Sequence, residues 1–210
     1  MRKLIIGVLV LAVLAIFANG ANAKLTGSAH DFTSAAWSGN NICGPCHVPH
    51  RADTTEKNAP LWNHKLTTFT PYKVYSSATL TATVGQPGGI SKLCLSCHDG
   101  TVALDSFGGI TGSTKLTSAN AGYLGTDLSG SHPISFTYDD ALASRDGALY
   151  APTTTNSGLG GTVAVDMLFA GKMECASCHD AHRNDESALA QPLLKRSNLQ
   201  SALCLTCHSK

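Results

Sequence analysis

The sequence predicts a chain that is mostly irregular, with a few short helices, wrapped around apolar material that its own side chains do not supply. Three observations predict this. Of 210 residues only 6% are aromatic and 14% are charged, while glycine numbers 20 and serine and threonine are plentiful. Segments with a helical or strand period are short and lie between Gly-Gly and Thr/Ser clusters. All eight cysteines fall into C-x-x-C pairs. A chain so poor in bulky side chains buries little apolar area by itself and needs another nucleus to fold around.

The first element is a leader. "MRK" is a positively charged start, "LIIGVLVLAVLAIFA" is a short apolar run, and "NGANAK" places Ala21 and Ala23 where a signal peptidase reads. Residues 1–23 are therefore expected to be a secretory signal peptide, cut between Ala23 and Lys24. An uncleaved anchor is the alternative, and the run is short for a membrane span. No later stretch is long and apolar enough to cross a membrane, so no transmembrane segment is expected after cleavage. The net charge of +1 argues against nucleic acid as a partner.

The cysteines come next. The pairs are Cys43/Cys46, Cys94/Cys97, Cys175/Cys178 and Cys204/Cys207, and each is followed at once by histidine: His47, His98, His179 and His208. C-x-x-C-H is the attachment signature of haem c. Two thioethers fix the porphyrin, and the adjacent imidazole becomes the proximal iron ligand. Four covalent haems are therefore expected, and they account for the composition: the chain is expected to wrap around a haem stack, the fold class of a multihaem cytochrome c. Disulfides, zinc and a thioredoxin-like dithiol at "CGPC" are the other uses of such pairs. None of them asks for histidine after every pair.

The motifs are arranged as a duplication. "GSAHDFTSA", "ICGPCHVPH" and "SKLCLSCHDG" recur in order as "GSHPISFTYDD", "ECASCHDAH" and "SALCLTCHSK". This divides the mature chain into a first dihaem unit, residues 24–115, and a second, residues 116–210. "SKLCLSCH" and "SALCLTCH" read as short helical turns, and "DDALASRDGAL" and "NDESALAQPLLK" as short helices. "YKVYSSATLTATVG" is a candidate for a strand or hairpin arm. "GQPGGI", "FGGITGSTK" and "APTTTNSGLGGTV" read as loops.

Five histidines remain: His30, His50, His64, His132 and His182. Four bis-histidine haems need four of them. His30 and His132 share the "GS-H" phrases. His50 and His182 stand three residues after a proximal histidine. Each starts on the proximal side of its own haem and is expected to cap the neighbouring haem of the same pair. His64, beside Trp62, is the surplus candidate, and one of the five is then free to serve another molecule.

The phrases "GSAHDF", "CGPCHVPH", "APLWNH", "LCLSCHDGTVALD", "DLSGSHPISF", "CASCHDAH" and "LCLTCHS" together resemble bacterial multihaem cytochromes c of the doubled C-x-x-C-H type. More narrowly, the chain is similar to the small tetrahaem members at the surface of metal-reducing bacteria, some of which polymerise into filaments. The resemblance implies bis-histidine haems packed alternately in parallel and T-shaped pairs. It also implies His50 and His182 as ligands across haems, and His30, His64 and His132 as further ligand candidates. In the filament formers a histidine of one subunit ligates a haem of the next. Soluble periplasmic relatives share these phrases.

The expected function is electron transfer by an exported protein, at the cell surface, outside the cell or in the periplasm, and not catalysis. The partners expected are other redox proteins or cytochromes, extracellular metal acceptors, and further copies of the chain in a homo-polymer. A soluble periplasmic shuttle is the alternative, followed by a multihaem reductase, which needs one iron with an open position.

Overall fold

The computed structural model describes residues 25–183 and 193–209. The expected signal peptide and the body of the helix expected over "NDESALAQPLLK" lie outside the described residues. Most of the rest is coil and turn, with a few short helices and one two-stranded sheet.

Helix α1, Gly89–His98, is the longest and carries the second C-x-x-C-H motif. Its first turn is held from outside. A Glu56 carboxylate oxygen accepts the Gly89 N–H at 2.9 Å, and the other pairs with Lys92 at 2.8 Å. A carboxylate there also suits the positive end of the helix dipole. The helix buries Leu93, Leu95, Ser91 and Ser96. It stops at Gly100, which takes the left-handed φ of 73° that ends a helix at low cost.

Helix α2, Asp140–Asp146, lies where "DDALASRDGAL" predicts it. The Asp139 side chain accepts the Leu142 N–H, and Gly147 ends it at φ 73°. Helix α3, Val163–Asp166, starts at the Thr162 cap inside the stretch read as loop. Helix α4, Cys175–Cys178, is the third attachment motif itself. Before the fourth motif, "SALCLTCH" forms only 3-10 turns, Leu199–Ser201 and Cys204–Thr206.

Strands β1, Phe136–Thr137, and β2, Lys172–Met173, pair antiparallel with Phe136 opposite Met173. Two residues each are too few to show a period, which is why the sequence did not announce them. The arm expected over "YKVYSSATLTATVG" is not a strand. Its one ladder contact is the bridge of Lys73 to Asp127, and its order comes from side chains: Gln86 exchanges hydrogen bonds with the Tyr72 backbone at 2.6 and 3.1 Å.

The larger apolar cluster gathers Phe136, Leu142, Val163, Met167, Met173 and Leu203, with Ala82 and Val84 of the first unit packed against it. A second cluster joins Tyr72 and Leu95 to Leu128. Helices α1 and α4 also touch. Packing therefore runs across the boundary between the two repeat units, and the attachment motifs of both are brought to one continuous region.

Candidate haem-binding centre

The attachment spacing has a local cause. In the first, third and fourth motifs the histidine N–H donates to the carbonyl of the first cysteine: His47 to Cys43 at 2.8 Å, His179 to Cys175 at 3.1 Å, His208 to Cys204 at 3.0 Å. Each motif is thus one helical turn. That turn puts the two sulfurs, three residues apart, on one side of the backbone. In the second motif α1 does the same.

The four motifs follow one another in space in sequence order. The Cys97 thiol is pushed up to about 12 by burial and by neighbouring Cys46, so the first motif adjoins the second. Helix α1 packs against α4, and the Ser91 hydroxyl of α1 accepts the Cys175 N–H at 2.9 Å, so the second adjoins the third. Burial, then Cys204, raises Cys178, and burial, then Cys178, pushes Cys207 up to about 11, so the third adjoins the fourth. Cys43 and Cys204, at the two ends of this row, are the exposed cysteines. No disulfide joins any of the eight.

Three of the motif histidines face a second imidazole. His47 and His182 have ring centroids 5.9 Å apart and planes at 22°. His98 faces His30 at 5.9 Å and 76°, and His208 faces His132 at 6.4 Å and 77°. A metal–imidazole nitrogen bond is about 2 Å long, so two imidazoles on opposite sides of one metal have centroids about 6 Å apart. The residues present therefore fit a group that carries an iron between two histidines. His30 and His132 each face the second motif of their own unit. His182 does not lie across from His208, its neighbour within the pair; it crosses to His47 in the first unit.

Hydrogen bonds select which ring nitrogen is available. His47 Nδ1–H donates to Pro60 O at 2.6 Å, His98 Nδ1–H to Gly122 O at 2.5 Å, and His132 Nδ1–H to Pro133 O at 2.9 Å. A carbonyl accepts only, so each bond fixes the proton on Nδ1 and leaves Nε2 as the lone-pair donor for a metal. Glycine at 122 lets that carbonyl approach, because a Cβ there would come within 3.1 Å of the His98 ring. His30 Nδ1 is buried without a partner. Its pKa falls to about 4, through burial first and then the charges of His98, His182 and His179. His182 Nδ1 lies 3.6 Å from Asp180 Oδ1.

The two other candidates are placed differently. His64 is buried beside Cys97, with Nε2 3.5 Å from Sγ. Its nitrogens reach two carbonyls, Nδ1 to Lys65 O at 2.9 Å and Nε2 to Ala103 O at 3.0 Å. Only a doubly protonated ring donates to both, whereas burial lowers its pKa. His50 is exposed on the loop after the first motif. Among the described residues, no ring pair sets either one opposite His179.

Residues that the sequence reading missed support the site from behind. Asp99, next to His98, is buried and accepts from Tyr72 OH at 2.5 Å and from Thr101 N–H at 2.7 Å. Glu174, next to Cys175, is likewise buried. The "HD" and "EC" adjacency was visible in the sequence, but the burial of these carboxylates was not. Among the described residues no group of three or more His, Cys, Asp or Glu side chains converges as a bare metal-ion site, and no helix is long and apolar enough to cross a membrane.

Residues 168–210 match the family described as the doubled CXXCH motif. The matched segment holds the third and fourth motifs and His182. No curated protein matches the chain. The C-x-x-C-H motifs indicate covalently bound haem c, and the match supports reading the chain as a multihaem c-type cytochrome concerned with electron transfer.

Proposed function

We propose that this chain is an exported electron carrier that binds four haems c, each between two imidazoles, and passes electrons along the row of motifs. The observation that carries this reading is the facing of motif histidines by second histidines at the spacing one metal requires. Bound haem c supplies a one-electron iron couple at each motif. The chain's own part would be to hold each group through two cysteine sulfurs and two histidines, which would keep substrate away from it. His30, His132 and His182 serve the second, fourth and first motifs. Because His182 crosses from the second unit to the first motif, the repeat relation assigns His50 to the third.

The test is spectroscopic. The purified holoprotein is expected to be entirely low-spin and to bind no carbon monoxide. A high-spin fraction equal to one haem in four would favour the reductase reading instead.

The exposure of Cys43 and Cys204 at opposite ends of the row favours a second form of the same reading, in which copies associate end to end as a filament. Exposed Leu199 and Leu205 flank the Cys204 end. Electron microscopy of the secreted material separates a filament subunit from a monomeric shuttle. The partners follow from either form: redox proteins, other cytochromes or extracellular metal acceptors. Export rests on the signal peptide and is checked by N-terminal sequencing of the mature chain.

A further inference from the structure

The wording of the repeat changes in charge at a buried position. Where the first unit has Ile42 before its motif, the second has Glu174. Glu174 is 4% exposed. One carboxylate oxygen accepts from the Ser135 hydroxyl at 2.9 Å and also from the Ser91 hydroxyl. The other faces Gly89, where a Cβ would stand 3.4 Å away. Among the described residues no lysine or arginine forms an ion pair with it. A carboxylate buried without a cation is expensive. The two hydroxyl donors offset part of that cost.

Its place gives the charge a use. Ser91 stands one turn before Cys94 on α1, and its hydroxyl also accepts the Cys175 N–H at 2.9 Å. Helix α1, which carries Cys94, packs against α4, which carries Cys175. The carboxylate therefore sits at the seam of the second and third motifs, away from water, where screening is weak.

We propose that Glu174 tunes the two central redox sites, holding the reduction potentials at the second and third motifs below those the same motifs would have without its charge. The inference rests on the electron-carrier reading. When a redox partner delivers one electron to either site, that site loses one unit of positive charge and no bond is made or broken. A fixed anion alongside stabilises the more positive, oxidised form, so it opposes that step.

The test is Glu174→Gln in the full-length, haem-loaded protein. Haem number is read by intact mass, and potentials by absorbance-monitored potentiometric titration. The glutamine variant is expected to shift two of the couples about tenfold toward the reduced form at a given potential, which is 59 mV for one electron. Ser135→Ala, which removes a hydrogen bond but keeps the charge, is expected to shift them less than about twofold. Unchanged potentials in a fully loaded Glu174→Gln protein overturn the proposal, and so does an equal shift in Ser135→Ala. If neither Glu174→Gln nor Glu174→Ala retains its haems, Glu174 is a folding residue and the tuning role falls. A wild-type protein that does not cycle reversibly fails the carrier reading itself, and that control keeps the two failures apart.

Discussion

The imidazoles of His47 and His182 lie with centroids 5.9 Å apart and planes at 22°, although they come from opposite repeat units. This one relationship joins the first attachment motif to the loop after the third. Replacing His182 with alanine is therefore expected to open an axial position at the first motif and leave the fourth, within its own unit, intact. The variant should show one high-spin, carbon-monoxide-binding haem with the haem number unchanged. By the same exchange, His50→Ala should open the third motif. If His64→Ala gives that signal and His50→Ala does not, the repeat assignment is wrong.

Haem number is tested motif by motif. Replacing Cys43 and Cys46 with alanine is expected to lower the intact mass by one haem, and the same change at Cys204 and Cys207 should do likewise. The end motifs suit this test because Cys43 and Cys204 are exposed and the central pair of motifs keeps its packing through α1 and α4. A wild-type mass corresponding to fewer than four haems would refute the count at once.

Tyr72→Phe removes the hydroxyl that donates to buried Asp99 at 2.5 Å. That carboxylate keeps Thr101 as a donor, so one oxygen is left short. The expected loss is about 1–3 kcal/mol of unfolding free energy. Urea unfolding followed by circular dichroism measures it. The haem number should not change, since the Tyr72 hydroxyl bonds Asp99 and Thr67 and not a cysteine or histidine of a motif.

Acid should loosen the site through His30. Burial, and then the neighbouring imidazoles, lower its pKa from 6.5 to about 4. The unfolded chain thus takes up a proton that the folded chain refuses, and stability falls as pH falls across that window. It is fully present above 6.5 and is lost progressively down to about 4. Metal binding at the same ring would act in the same direction. His30→Ala is expected to flatten this slope in urea midpoints measured between pH 7 and pH 4.

The C-x-x-C-H motifs, the further histidines and the repeated phrases are read directly from the sequence, because each is local or repeated. A C-x-x-C-H is one helical turn, and the bond from His47 N–H to Cys43 O is decided within five residues. Helix α2 was legible for the same reason, through the Asp139 cap and the Gly147 stop. Only the tertiary structure decided that the motifs line up in sequence order, that His182 crosses to His47, and that His64 turns both nitrogens to carbonyls. It alone buried Glu174 and Asp99 beside the motifs. Those facts depend on how α1 docks on α4 and how Leu128 seats against Tyr72 and Leu95. Such contacts join residues far apart in the chain, and they leave no period or spacing in the sequence from which to read them.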